Sequence, residues 1–295
     1  MKMTNPESKQ AQTYFHVGYA RAASTFLQKN LFPALRGIQY IPRNRFRVRE
    51  SEKRRFKGSK ILMSREAGRY IYERTDDVKR VFGSKVMVSL RRHDSLVAST
   101  YRLQAKNGHT IRLPQFLDLD NDQGVWKQTD FDFMKYIKYA EESTGEKPLV
   151  LLFEDYKADR KFYIDSLCAW LGCDIDLLAL SDKEVHKSYS DKQLRLRRQF
   201  SDRFLDPQMD LDSYRSETLA DHTRWRRIRH RLVLWFTGIF MRLARFAPDS
   251  WLNDEPLIES KDLARVRDFY ADDWAACQAY VEEQSVRLGV KRNIA

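Results

Sequence analysis

A glycine, an arginine and two hydroxyls at the spacing Gly18-x-x-Arg21-x-x-Ser24-Thr25 are suited to holding a phosphate. The apolar run Tyr14-Phe15-His16-Val17 stops at Gly18, and Ser24 and Thr25 open an amphipathic segment with Leu27 and Leu31 on one face. Such an order predicts a strand, a tight loop and a helix start. Backbone N–H groups and the positive end of the helix dipole then point at one anion. Arg21 adds a full charge and a planar fork of donors. Tyr19, Ala20, Ala22 and Ala23 complete the loop and are expected to serve through their main chain.

A Walker loop requires a second glycine and a lysine immediately before the hydroxyl that binds magnesium. Neither is present here, nor is a clear strand-end aspartate, so a nucleoside or sugar kinase with a degenerate loop is the weaker enzyme reading. A second set of anion-binding residues follows the run Val86-Met87-Val88-Ser89-Leu90, which is too short for a helix and reads as a buried strand. Arg91 closes it, and Ser99 lies eight residues on in a helical pattern. Strand ends and the helix starts that follow them share one edge of an α/β sheet, where ligands collect. The run Ile61-Leu62-Met63-Ser64 predicts another strand and ends near Glu66, a carboxylate able to act as a base. Its alternative role is to cap the helix that follows. His16 and His93 lie near the two loops but fit strand-end or turn positions better than catalysis.

The first loop resembles the 5′-phosphosulfate loop of the sulfotransferases that use 3′-phosphoadenosine 5′-phosphosulfate (PAPS), G-x-x-K-x-[GA]-[ST]-T, with Arg21 standing where that family usually has lysine. The stretch VMVSLRRHDSLVASTY is similar to the family's 3′-phosphate motif, with Arg91 and Ser99 in its two key positions. PLVLLFEDYKADRKFYIDSLCAWLGCD resembles a later strand, turn and helix of the same family. There, Glu154 and Asp155 are read as turn residues rather than catalysts. The resemblance implies that Lys187 and Ser188 belong to a loop beside the nucleotide. It also makes Glu66, in an S-x-E pattern shared with bacterial relatives, the first choice of base, with Glu50 the runner-up. Arg21 is then the catalytic cation at the leaving phosphate, and no metal is expected. The acceptor this implies is a hydroxyl or amine on a carbohydrate or lipid-linked glycan.

These residues need a scaffold. From about 13 to 175, short apolar runs alternate with helical patterns, which predicts βαβ units. The fold class expected is α/β: a P-loop-like parallel sheet flanked by helices on both faces, with a helical C-terminal part. Residues 1–12 read as a flexible lead, 13–190 as the nucleotide-binding core, and 191–295 as an extension packed on it, one domain overall. Leu149 to Phe153 reads as a strand, and Ile164, Leu167, Cys168 and Leu171 as one face of a helix stopped by Gly172. Residues 43–60 form a basic stretch suited to a surface loop facing an acidic acceptor, and 106–128 a long connection of the kind that rims active sites.

The 295 residues carry 53 Lys and Arg against 41 Asp and Glu, a net charge of +12, which favours anionic partners. Three cysteines without a C-x-x-C pair fit a reduced, cytoplasmic chain. The start MKMTNPESKQ lacks the apolar core of a secretory leader, and no run is long enough to span a bilayer. Six scattered histidines show no metal-ligand spacing.

The segment Arg224 to Arg245 joins arginines to Trp225, Trp235 and Phe236. It fits a peripheral helix on an anionic membrane face, or a helix that covers the sheet with its arginine stems along its flank; the second is the preferred reading. A non-enzymatic basic protein that binds membranes or nucleic acid would explain the charge. It would leave the ordered pair of anion loops unexplained, so no nucleic-acid partner is expected.

Overall fold

The computed structural model describes residues 11–42, 44–45, 58–82, 85–180, 189–205 and 224–293. Glu50, Lys187, Ser188 and most of the basic stretch 43–60 lie outside these residues. The chain divides into two compact units, residues 1–92, 132–185 and 272–295 in the first, and 93–131 and 186–271 in the second. This partition is drawn differently from a core at 13–190 followed by an extension, because the chain leaves the first unit and returns to it twice.

Among its described residues the first unit holds seven short strands: β1 (Gln12–Gly18), β2 (Leu35–Arg36), β3 (Gln39–Ile41), β4 (Lys60–Ser64), β5 (Lys85–Leu90), β6 (Leu149–Leu152) and β7 (Asp174–Ile175). Five of them form one parallel sheet in the order β3-β4-β1-β5-β6. Their near-continuous apolar runs are what a sheet covered on both faces requires. Tyr14, Leu62, Met87, Leu149 and Leu151 point to one side. There they pack with Phe26, Leu27, Leu31 and Phe32, and with Tyr163, Leu167 and Leu171 of the helix Arg160–Leu171. The alternate residues, including Phe15, Val17, Val86 and Val88, are equally buried. They face the side of the helices Ile71–Phe82 and Phe133–Thr144, which pack on β1 and β5. The expected α/β sheet, flanked by helices on both faces, is therefore present.

Several local readings are corrected. The segment opening at Ser24 is not one regular helix. It winds α from Ser24 to Phe26, widens to a π turn over Leu27–Leu31, where the Phe32 N–H reaches the Leu27 carbonyl, and ends in a 3₁₀ turn over Phe32–Ala34. Pro33 accounts for the end, since it lacks an N–H and its ring crowds the preceding turn. β6 stops at Leu152, and Phe153–Ala158 is a helix rather than a strand end followed by a turn. Near the C-terminus the chain forms two helices, Ser260–Phe269 and Ala271–Leu288, parted at Tyr270.

The helix Ala271–Leu288 closes the sheet. β6 is an edge strand, and the buried Gln284 accepts from the Val150 N–H (2.8 Å) and donates to the Val150 carbonyl (2.9 Å). One side chain thus satisfies both groups that an edge would expose. Nearby, the Asp273 carboxylate accepts from the N–H groups of Phe133 and Met134, capping the helix that starts there.

The second unit is helical, built on His93–Asn107, Asp191–Phe204, Arg224–Leu243 and Ser260–Phe269. Its centre is the buried Arg197, whose Nη2 donates to the carbonyls of Asn107 and Leu234, each at 3.1 Å. Gly108 permits this: a Cβ there would stand 3.0 Å from Arg197 Nη2. Burial lowers the Arg197 pKa to about 10, which leaves the guanidinium charged at neutral pH. Residues 106–128 are less of an open rim than the sequence implies. They carry the short helix Leu113–Phe116 and a bridge between Leu117 and Trp126, with Phe116 and Trp126 buried.

Candidate active site

Chain order and sheet order together mark the site. β1 is first in the chain but central in the sheet; β3 and β4 lie to one side of it and β5 and β6 to the other. The crevice at such a reversal, outside the carboxyl ends of the strands, is where α/β sheets bind ligands. The loop from Gly18 to Ser24 emerges there.

Gly18 is in register with Ser89 of β5, and an added Cβ would meet the Ser89 Oγ at 2.7 Å and the Ser89 carbonyl oxygen at 2.8 Å. The strand end thus lies against its neighbour with no space for a side chain. Beyond it, Arg21 (φ 77°) and Ala23 (φ 61°) both adopt left-handed backbone conformations. For non-glycine residues this costs about 1–2 kcal/mol each, and strain of this kind gathers at functional sites. Alternating backbone hands also turn successive N–H groups into a concave anion nest. Tyr19 and Ala22 bury their side chains, leaving only their main chain for a ligand, whereas Arg21 is exposed.

Two long-range contacts converge on this loop. The Arg91 guanidinium donates through Nη1 to the Arg21 carbonyl (3.2 Å) and lies over the Phe153 ring at 4.5 Å. The two arginines singled out from the sequence therefore meet at one sheet edge. Past β4, the Arg65 N–H donates to the His16 carbonyl and the Ala67 N–H to the Gly18 carbonyl, extending the parallel pairing beyond the strand. This continuation brings Glu66 to the loop, where the Ser24 hydroxyl donates to its Oε1. Ser24 is buried and Glu66 half-buried. Ser99 is buried in the second unit, on the helix His93–Asn107.

Sequence reading missed three features. The first is His16, which is wholly buried beneath the loop. Its Nδ1 lies 2.8 Å from Ser64 Oγ and its Nε2 3.0 Å from Ser89 Oγ, so one ring ties β4, β1 and β5. Gln28 adds a donor to Ser64 Oγ at 3.0 Å. Burial lowers the His16 pKa to about 3, so the ring is a neutral strut. The second is Glu154, which accepts from the Arg92 N–H (3.1 Å) and joins the ends of β5 and β6; burial raises its pKa. The third is the stack on Phe153, where Lys157 lies 5.3 Å from the ring already covered by Arg91. A strand end next to that of β5 is the only signal that could have found the last two.

The edge thus combines fixed cations, a strained backbone nest and a carboxylate bonded to a hydroxyl. In chemical terms, such an edge can hold an anion, and its carboxylate can accept a proton. Among the described residues, no three His, Cys, Asp or Glu side chains gather as a metal site. No protein-family model and no curated protein matches the sequence. Among solved structures, the chain is similar to a sulfotransferase from Alicyclobacillus acidocaldarius, at 13% identity over 71% of this chain and 98% of that one, with a TM-score of 0.48. It is also similar to mouse sulfotransferase SULT7A1, solved as a complex with PAP, at 15% identity over 56% of this chain and 60% of that one, with a TM-score of 0.34.

Proposed function

We propose that the chain is a PAPS-dependent sulfotransferase whose acceptor is a hydroxyl or amine on a carbohydrate or lipid-linked glycan. The observation that carries this reading is the bond from Arg91 to the Arg21 carbonyl, because it draws both sequence motifs for anions to one loop. The nest at Arg21 and Ala23 fits the close approach of a phosphate to the backbone. When bound, PAPS supplies a sulfuryl group attached to a phosphate leaving group.

The chain's residues divide the work. Arg21 places a fixed positive charge at the loop, where negative charge builds on the leaving oxygens. Arginine cannot release its proton, so it acts there as a clamp and not as an acid. The Ser24 and Thr25 hydroxyls and the loop N–H groups supply further donors. Arg91 holds the more distant phosphate, with Ser99 retained as its partner on sequence grounds. Glu66 takes the proton of the acceptor, and its bond with Ser24 keeps the carboxylate facing the loop. The three free thiols suit a reducing, cytoplasmic setting.

The test is transfer of radiolabelled sulfuryl groups across glycan, lipid-linked sugar, alcohol and amine acceptors. Glu66→Gln is expected to lower kcat by about 10²–10⁴-fold while bisphosphate affinity is retained. Arg21→Ala should abolish transfer. A Glu66→Gln enzyme that works at the wild-type rate would remove the base from this scheme, and absence of transfer to every acceptor class would remove the scheme itself.

A further inference from the structure

The helix Arg224–Leu243 turns its apolar residues away from the helices of its own unit. Trp225, Ile228, Leu232, Trp235, Phe236 and Leu243 are 78, 39, 50, 60, 61 and 62% exposed, while His230, Thr237 and Met241 are buried. At about 100° per residue the six exposed side chains fall within an arc of about 100°, and the buried three lie about 180° away from its centre. The inward side is held by the helix Asp191–Phe204, through bonds from Arg197 to the Leu234 carbonyl and from Gln193 to the Met241 carbonyl, each within 3.1 Å. The outward face is therefore fixed by packing within its own unit. Within that unit nothing described covers the apolar arc.

The charges around the face select its partner. The segment holds six arginines and no aspartate or glutamate. Arg231 and Arg242 border the apolar arc on one side and Arg229 on the other, and all three are exposed. A second copy of the chain would set arginines against arginines, at a cost in like-charge repulsion. A surface of anionic phospholipids instead meets the cations with its headgroups and the tryptophan and leucine side chains with its acyl boundary. The helix is not long and apolar enough to cross a membrane, so it lies in the interface plane. We propose that Arg224–Leu243 is a peripheral docking helix for anionic lipid membranes. The inference is independent of the sulfuryl-transfer reading, since none of its residues belongs to the loop site.

Flotation of the full chain with phosphatidylcholine vesicles, with and without phosphatidylglycerol, tests this, with tryptophan emission as a second readout. Binding is expected with the anionic vesicles, together with a blue shift, and both should weaken with salt. Arg231→Gln with Arg242→Gln should lower partitioning about 30-fold. Trp235→Glu with Phe236→Glu, both exposed and so harmless to folding, should abolish it while leaving bisphosphate affinity unchanged. No flotation of the wild type, or flotation indifferent to the aromatic pair, would overturn the proposal. So would a dimer that the aromatic pair dissolves without any vesicle binding, which would make the face a contact between copies.

Discussion

Lowering the pH from neutrality should weaken this protein through one buried ring, and the effect is masked until a second group is removed. His16 is 0% exposed, and burial takes its pKa from 6.5 to about 3. The unfolded chain accepts a proton below the ordinary value, whereas the folded chain does not. The stability His16 contributes is therefore complete above about 6.5 and is lost as pH falls toward about 3. Between pH 7 and pH 5, linkage gives a loss of about 2 kcal/mol. Asp155 acts in the opposite sense. Burial raises its pKa from 3.8 to about 6, a shift that its ion pair with Arg292 (3.1 Å) reduces. Its contribution is present at low pH and disappears as pH rises through about 6, by about 1 kcal/mol once solvent screening of the pair is allowed for. The wild type should thus show a shallow slope across this range. In Asp155→Asn, urea unfolding should recover the His16 slope of about 2 kcal/mol, and adding His16→Asn should flatten it again at a lower, constant stability. An Asp155→Asn protein whose unfolding free energy is the same at both pH values would refute the reasoning, because His16 would then be taking up its proton in the folded state.

Further outcomes concern the loop and the sheet. Gly18→Ala should cost about 2–3 kcal/mol, since the new Cβ meets the Ser89 backbone as well as its hydroxyl, and the backbone cannot step aside; a melting temperature equal to wild type would contradict the packing. Ala23→Gly should change stability by less than about 1 kcal/mol, relief of the left-handed strain offsetting the added chain entropy; a larger loss would mean that the position is not strained. Gln284→Leu leaves the Val150 N–H and carbonyl without their partner and should cost about 2–4 kcal/mol in chemical denaturation. A neutral result would show that the sheet edge tolerates exposure.

The main strands were legible because each is an apolar run cut off by a glycine, a charged turn or a helix start: Tyr14 to Val17 before Gly18, Val86 to Leu90 before Arg91. β3 was not, as Gln39-Tyr40-Ile41 is too short and too mixed to form a run, and only its register with Ile61 to Met63 makes it a strand. The break at Tyr270 was hidden because no glycine or proline marks it. Gly18, Arg21, Arg91 and Glu66 could each be singled out from local pattern. The bond between Ser24 and Glu66 could not, since it depends on parallel pairing between strands more than forty residues apart. His16 was set aside for the same reason: its two serine partners are fixed by register alone. The inward side of the helix Arg224–Leu243 within its unit was hidden in another way. Periodicity reports that two faces differ, not which is buried, and His230, Thr237 and Met241 do not look like an inward seam beside Trp235 and Phe236.

Calorimetric titration with adenosine 3′,5′-bisphosphate, beside ATP with magnesium, is the most direct test of the site. The bisphosphate should bind and ATP should not compete, and Arg91→Ala should weaken the bisphosphate by at least about tenfold, the loss of one charge-assisted bond. Equal binding of the two nucleotides, or an Arg91→Ala protein with unchanged affinity, would contradict the account.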